Sequence, residues 1–120
     1  MEKEILNQIL EKHKKWLANE EGGERADLSR ADLSRADLSR ANLRDADLRG
    51  ADLDFSCLPL WCGSLNAHFD DRQLIQIAYH LVRAGLNSKN ANGSTKAELM
   101  KLIDFANRFH RVDECGKIEE

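Results

Sequence analysis

Aspartate recurs at every fifth residue in the first half of the chain, a spacing that could place carboxylates side by side. The positions are Asp27, Asp32, Asp37, Asp47 and Asp52, with Asn42 in the place of a sixth. Paired carboxylates can act as general acid and base. Asp and Asn side chains also bond the backbone of turns, and the amide of Asn42 keeps the pattern without the charge. We therefore expect these side chains to stabilise turns, and we predict no acid–base pair.

Cysteine and histidine lie together just after the aspartates. Cys57, Cys62 and His68 have the spacing C-x4-C-x5-H, which is at the edge of zinc-binding patterns. His80 or Cys115 would have to complete the set, because no clear fourth ligand is present. Buried thiols without a metal are the favoured interpretation. A metal-binding protein or an enzyme that uses Cys57 and Cys62 is the remote alternative.

Other catalytic motifs are not visible. His13, His80 and His110 fall at helical positions, and local sequence suggests no Ser/His/Asp or Cys/His relay. Gly22 and Gly23 follow a helix instead of preceding one, so they do not read as a phosphate-binding loop. We predict no catalytic, cofactor-binding or metal-ligating residues, no cofactor, and a protein that is not an enzyme.

The composition favours one domain and no particular class of partner. The chain has 120 residues, 42% of them hydrophobic and 32% charged, with a formal net charge of −3. This balance is neither basic enough to predict nucleic-acid binding nor acidic enough to predict an acidic tail. No apolar run approaches the roughly 18 residues of a membrane span. The charged N-terminus lacks the apolar stretch of a secretory signal, and we expect a cytoplasmic protein.

The aspartates belong to six consecutive five-residue units of the form Ala-Asp/Asn-Leu-x-x at residues 26–55. On an α-helix, a step of five residues advances a side chain by roughly 140°, which spreads the Ala and Leu positions around the cylinder. A flat strand needs an even period to keep one face apolar. A chain that turns a corner once per unit fits the pattern, with Ala and Leu pointing inward each time.

This tandem resembles the signature of the pentapeptide-repeat family, over about a quarter of the chain. The resemblance implies a short right-handed quadrilateral β-helix, a solenoid with four units per coil and about two coils here. The central inward residues would be Leu28, Leu33, Leu38, Leu43, Leu48 and Leu53. The small inward residues would be Ala26, Ala31, Ala36, Ala41, Ala46 and Ala51. The compact layout is similar to small bacterial or prophage-borne members of the family.

Helices flank the solenoid in the predicted domain organisation. Residues 1–22 form an amphipathic capping helix, and residues 24–65 form the solenoid. Residues 69–112 form a helical hairpin that caps the other end, and residues 113–120 form a flexible tail. A solenoid of about two coils exposes unpaired backbone at both ends, so caps or self-association must cover them.

The pattern degrades after Ser56–Leu60, which is a plausible seventh unit. An indole does not fit a position built for alanine, so we predict that the coil opens at Trp61. Trp61 and Leu65 would then pack against the end of the solenoid as a lid.

The hairpin is predicted from two capping boxes. Asp70 and Gln73 open a helix that runs to Gly85, and Thr95 and Glu98 open the next. The inward residues of the first helix would be Leu74, Ile77, Ala78, Leu81 and Val82. Those of the second would be Leu99, Leu102, Ile103, Ala106 and Phe109.

The predicted function is that of a non-enzymatic protein-interaction scaffold, because rigid repeat surfaces are commonly used to bind proteins. The candidate interaction surface is Arg30, Arg35, Arg40, Arg44, Arg49 and Trp61. An alternative follows from the family resemblance: some members are long acidic rods that mimic DNA and modulate type II topoisomerases such as DNA gyrase. Residues 24–55 carry six arginines and eight acidic residues, which interleave instead of forming a uniform negative field.

The partners expected are an unidentified protein and a second copy of the chain, with a dimer favoured over larger oligomers. The dimer follows from the open ends of the solenoid and from similar family members, which often dimerise through their C-terminal elements. Direct nucleic-acid binding is not expected, because no basic cluster with interleaved aromatic residues is present. Membrane binding is not expected either, because no apolar run is long enough to span a bilayer.

Overall fold

The computed structural model describes residues 1–119, and these contain α-helices, turns and no β-strand. The helices are α1 (Lys3–Leu17), α2 (Asp71–Asn87), α3 (Gly93–Met100), α4 (Ile103–Ala106) and α5 (Val112–Cys115), with a 3₁₀ turn at Cys62–Ser64. The chain divides into two compact units, Met1–Asp70 and the residues from Asp71 onward. Within the described residues, no helix is both long and apolar enough to cross a membrane.

The repeat lies in the first unit as a succession of turns whose backbone returns beside itself every four repeats. Isolated parallel bridges join Asp27 to Asp47, Asp32 to Asp52, and Asp37 to Cys57, each pair twenty positions apart. Backbone hydrogen bonds accompany the bridges; the N–H of Leu28 donates to the carbonyl of Asp47 at 2.8 Å, for example.

The predicted fold class, a right-handed quadrilateral β-helix with flanking helices, is therefore wrong. Residues 1–119 contain no strand and no sheet, and their regular secondary structure is helical. The physical reason is the length of the units. A corner every five residues leaves a single bridging residue between turns, whereas strands need runs of about three residues or more.

The backbone register changes once after the regular units. The bridge that follows joins Asp47 to His68, which are 21 positions apart where earlier pairs are 20 apart. One extra residue is thus inserted between Cys57 and Gly63, the stretch that contains Trp61. The turn that the repeat would place at residues 59–60 is not formed, and the bridges resume beyond the insertion.

The core of the first unit is the column of repeat leucines with one face of α1. Leu28, Leu33, Leu38, Leu43, Leu48 and Leu53 are between 0% and 6% exposed. Ala26, Ala46 and Ala51 are buried, and Ala31, Ala36 and Ala41 are partly buried against the same cluster. Leu6 of α1 is buried in this cluster, with Ile9 and Leu10 packed against it.

The predicted lid is not formed. Trp61 is 46% exposed and Leu65 56% exposed, and Leu60 beside them is fully exposed. The buried residues of this stretch are Pro59 and Gly63, and the carbonyl of Gly63 accepts the N–H of Leu43 at 2.6 Å. Gly63 takes the backbone place that Asp47, Asp52 and Cys57 take in other units, and the large side chains near it are exposed.

The second unit has its own core, made where α2 packs against α3 and α4. The buried residues are Tyr79, Val82, Ile103, Ala106, Phe109 and Ile118. Tyr79 and Phe109 stack with ring centroids 4.7 Å apart. Because of these contacts, the buried side of α2 is the one that carries Tyr79 and Val82.

The predicted inward face of α2 is therefore only partly correct. Val82 is buried, but Leu74, Ile77 and Leu81 are exposed, and the polar Gln73 and Gln76 are buried instead. The helix is rotated relative to its apolar stripe, because Tyr79 and Val82 face the core of the second unit. The stripe is left on the surface.

The helix boundaries of the second unit also differ from those predicted. The helix α2 ends at Asn87, two residues beyond Gly85. The next helix begins at Gly93, because the side chain of Asn92 caps it by accepting the N–H of Thr95 at 2.8 Å. It does not run through to Phe109, since the residues between Met100 and Ile103 form a turn.

The described part of the predicted flexible tail, 113–120, contains a short helix and a buried side chain. The one-turn helix α5 spans Val112–Cys115, and Ile118 is 5% exposed in the core of the second unit. The amide of Asn107 bonds the backbone of Ile118, which holds the segment in place. Glu120, also in the predicted tail, lies outside the described residues.

Candidate interaction surface

The arginines at the fifth position of the repeat units lie at the corners of the turns. In the first corner, the N–H of Ala31 donates to the carbonyl of Leu28 at 3.1 Å, and Arg30 has a φ of 61°. Arg35 has a φ of 65°. A positive φ at the third residue is the geometry of a type II turn, which directs the side chain away from the core. All five candidate arginines are exposed, the three at the fifth position and Arg44 and Arg49 at the fourth.

The repeated aspartates stabilise these corners. Each accepts the backbone N–H of the residue two positions on; for Asp27, Asp32 and Asp37 the serine hydroxyl at that position also donates. Those hydroxyl bonds, followed by the backbone bonds, lower the pKa of each of the three carboxyls. Asn42 accepts the N–H of Arg44 in the same way. The turn therefore requires a side-chain oxygen that accepts this hydrogen bond, and it does not require a negative charge.

Asp47 carries the strongest of these interactions. Its carboxylate accepts two hydrogen bonds from the guanidinium of Arg49, both at 2.9 Å, and the backbone N–H of Arg49 at 3.1 Å. The side-chain bond is the main cause that lowers the pKa of Asp47 to about 2. Arg49 is thus committed to a local ion pair.

Arg30 and Arg49 share one cavity of about 510 Å³. It is also lined by Asp47 and Asp70, and the carboxylate of Asp70 accepts the N–H of Gly50 at 2.6 Å. The cavity therefore combines two arginines with two carboxylates, and Arg49 is paired with Asp47.

Arg35 and Arg44 each lie over an aromatic ring. The guanidinium of Arg35 is 5.0 Å from the ring centre of Phe55, and that of Arg44 is 5.7 Å from Trp61. Cation–π contacts of this kind hold both partners in defined positions at the surface. Arg44 is fixed further, because its Nε donates to the carbonyl of Cys62 at 3.2 Å.

Arg40 and Trp61 line a second cavity, of about 650 Å³, which α1 closes on one side. From α1 come Asn7, Leu10, Glu11 and Lys14, and from the repeat come Asp37, Ser39, Ala41 and Asn42. The cavity combines apolar surface at Leu10 and Trp61 with charged groups of both signs. We call this cavity, together with Arg44, the Trp61 groove.

The structure thus separates the candidate residues into three places. Arg30 and Arg49 lie among carboxylates, Arg35 lies with Phe55, and Arg40 and Arg44 lie with Trp61. The Trp61 groove joins basic side chains to a large exposed ring and a cavity.

The cysteines are exposed free thiols, so the expectation that they are buried is wrong. Cys57 stands at an outward position of its unit, where the repeat places aspartate, and Cys62 is on the inserted stretch. Across residues 1–119, no three His, Cys, Asp or Glu side chains lie close enough together to hold a metal ion.

His13 has a structural role that the sequence does not single out. Its ring is fully buried, accepts the N–H of Ala26 at Nδ1 (2.9 Å) and lies 2.7 Å from the carbonyl of Arg44 at Nε2. Because Nδ1 accepts, Nε2 carries the proton and donates to that carbonyl. The position of His13 on the apolar face of α1 was the available signal, since a histidine buried there needs polar partners.

Comparison with protein families supports the interpretation of the five-residue units as pentapeptide repeats. A family model described as pentapeptide repeats matches residues 25–59 with eight copies. Neither the comparison with curated proteins nor that with solved structures gave a match. The predicted resemblance is therefore confirmed: residues 25–59 of this chain carry pentapeptide repeats.

Proposed function

We propose that this protein is a non-enzymatic interaction module that binds a protein partner at the Trp61 groove. The observation that carries the proposal is Trp61, which is 46% exposed and lines the cavity beside Leu10 and Arg40. Leu60 and Leu65, near Trp61 in the sequence, are also exposed. Burying large exposed apolar side chains is favourable, so such a surface is typical of an interaction site.

The chemistry of the groove favours a protein partner. Trp and Arg are the residue types that contribute most often to the energy of protein interfaces. The cation–π contact and the hydrogen bond to Cys62 hold Arg44 and Trp61 in place before binding, which reduces the entropy lost on association. Lys14 and Glu11 on the rim offer charges of both signs, which suits a peptide segment with an apolar centre and polar flanks.

The test is affinity capture from a bacterial lysate with three baits: wild type, Trp61→Ala and Phe55→Ala. Phe55 is a matched control, because it is 65% exposed and also lies beneath an arginine. We expect Trp61→Ala to lose the proteins that wild type captures, and Phe55→Ala to retain them. Equal capture by wild type and Trp61→Ala would contradict the proposal.

A second copy of the chain is proposed as a further partner, bound through α2. Leu74, Ile77 and Leu81 lie on one face of this helix at spacings of three and four, and all three are exposed. Pairing of this face with its copy would remove them from water and form a dimer. Light scattering should give twice the monomer mass for wild type and the monomer mass for Leu81→Glu; a monomeric wild type contradicts this part.

Two alternatives have less support. Mimicry of DNA requires a continuous negative surface, whereas Arg49 pairs with Asp47 and Arg25 donates to the carbonyl of Asp45. A gyrase-supercoiling assay with micromolar protein should therefore show no effect.

Metal chemistry at Cys57 and Cys62 is tested by metal analysis, with substoichiometric zinc expected. The free thiols fit the proposed location in the reducing cytoplasm.

A further inference from the structure

The C-terminal segment of the second unit lies in a groove that recognises it as an extended peptide. Residues 116–119 form neither helix nor strand. Their exposure alternates, with Lys117 and Glu119 exposed on either side of the buried Ile118. This alternation is that of an extended chain with one face against a surface.

The groove bonds the backbone of the segment. The side-chain amide of Asn107 donates from Nδ2 to the carbonyl of Ile118 at 2.9 Å and accepts the N–H of Ile118 at 2.8 Å. An amide that makes both bonds to one residue reproduces the pairing that a neighbouring strand would give. Such bonds do not depend on the side chain of the bound residue, as in peptide recognition by strand addition.

A second set of donors holds the carbonyl of Gly116. The hydroxyl of Tyr79 donates to it at 2.6 Å, and the guanidinium of Arg83 donates at 3.3 Å. Gly116 has a φ of 101° and a ψ of 134°, a conformation that side-chain-bearing residues rarely adopt. The backbone conformation of the bound segment therefore favours glycine at this position.

An apolar socket selects the residue two positions on. Ile118 is buried together with residues from α2, α4 and the turn after α4, namely Tyr79, Val82, Ile103, Ala106 and Phe109. The groove thus has one specific pocket, one glycine-selective position and backbone bonds between them. Lys117 and Glu119 are left outside, so their identities are free.

We propose that this groove is a peptide-binding site, occupied in cis by Gly116–Ile118, that binds a partner segment with glycine followed two residues later by an aliphatic residue. A short segment anchored by one buried side chain, four hydrogen bonds to side chains and one from the N–H of Gly116 to the carbonyl of Val112 opens more readily than a packed helix. Once it opens, the donors of Asn107, Tyr79 and Arg83 and the apolar socket are left for a competing peptide. The segment in cis thereby lowers the apparent affinity for the partner by occupying the site.

The test uses the full chain and a fluorescent heptapeptide, Asp-Glu-Ser-Gly-Lys-Ile-Glu, which copies residues 113–119 with serine in place of cysteine. Two variants displace the cis segment by different means: Ile118→Asp disrupts the apolar anchor, and Gly116→Val disfavours the backbone conformation. We expect fluorescence polarisation to show that both variants bind the peptide at least about tenfold more tightly than wild type. A control peptide with Asp in place of Ile should not bind.

A matched variant separates specific binding from adhesion to exposed apolar surface. Asn107→Ala, placed in the Ile118→Asp chain, removes the two backbone bonds and leaves the socket intact, and it should weaken peptide binding about tenfold. Unchanged binding in this double variant would contradict the proposal.

Three further results would also overturn it. Peptide binding by neither displaced variant, while circular dichroism shows native helix content, would show that the groove does not accept a peptide in trans. Loss of helix content in both variants would show that the segment is an integral part of the core. A wild-type dimer that Ile118→Asp converts to a monomer would show that the groove binds the segment of a second copy.

Discussion

The imidazole of His13 accepts the backbone N–H of Ala26 at 2.9 Å, which attaches α1 to the first unit of the repeat. The other ring nitrogen donates to the carbonyl of Arg44 at 2.7 Å, eighteen residues further along the chain. One buried side chain therefore joins the helix to two separate corners. Its stacking on Trp16, with ring centroids 5.5 Å apart, fixes the orientation of the ring.

We expect His13→Phe to lower the free energy of unfolding by roughly 2–4 kcal/mol, because it leaves a backbone donor and a backbone acceptor buried without partners. Phenylalanine keeps an aromatic ring of similar size beside Trp16, so the loss reports the two hydrogen bonds. Urea unfolding followed by circular dichroism measures it. His80→Phe is the control, since His80 is exposed and phenylalanine keeps a ring beside Tyr79 and Phe109; it should change stability by less than about 0.5 kcal/mol.

We expect the stability of the protein to require glycine at position 63, where the backbone register changes. A Cβ at this position would lie 2.6 Å from the carbonyl oxygen of Ala41 and would overlap the ring of Trp61. Gly63→Ala should therefore destabilise the protein by roughly 1–3 kcal/mol, the usual cost of overpacking. The matched control is Gly93→Ala, because a Cβ there meets nothing within 4 Å. Equal urea midpoints for the two variants would contradict the inferred packing at Gly63.

At Asp47, the acceptor oxygen should contribute more to the free energy of unfolding than the negative charge does. Asp47→Asn keeps an acceptor for the N–H of Arg49 and loses the ion pair, so it should cost less than about 1 kcal/mol. Asp47→Ala loses both and should cost about 1 kcal/mol more. Thermal or urea unfolding of the two variants measures the difference. An alanine variant as stable as the asparagine variant would show that the turn does not depend on this bond.

Stability should fall in acid because the turn carboxyls have lowered pKa values in the folded chain. A carboxyl of this kind stabilises the fold above its ordinary pKa of 3.8, and the contribution is lost as the pH falls toward the folded value, about 2 for Asp47. The pKa values of Asp27, Asp32 and Asp37 are lowered in the same direction, chiefly by the hydroxyls of Ser29, Ser34 and Ser39.

The urea midpoint should therefore be lower at about pH 2.5 than at about pH 6. Replacing the three serines by alanine removes the largest cause of three of the shifts, so the triple variant should show a smaller decrease. If the urea midpoint of the triple variant falls as much as that of wild type, groups other than these three carboxyls cause the loss of stability in acid.

The repeat illustrates how far the sequence predicts this structure. The period of five places Leu28 to Leu53 inward because each unit repeats the same local geometry, and the family match rests on the same residues. The same local geometry explains the wrong fold class. Paired backbone in consecutive residues is a property of long segments, and corners every five residues leave only isolated bridges.

Features that depend on packing between distant residues were not predictable. The apolar stripe of α2 suggested Leu74, Ile77 and Leu81 as core, but contacts with Ile103, Ala106 and Phe109 select the Tyr79 and Val82 side. The outward position of Trp61 follows from one inserted residue, which the repeat pattern shows only as a loss of fit. The partners of His13 lie 13 and 31 residues away, where no local pattern connects them.

The proposed function depends on Trp61, and the most direct measurement is the dissociation constant of the captured partner for purified wild type and variants. We expect Trp61→Ala to raise the dissociation constant at least about tenfold, the loss usual for a central interface residue, and Phe55→Ala to change it less than about twofold. Equal dissociation constants for wild type and Trp61→Ala would contradict the proposed role of the Trp61 groove.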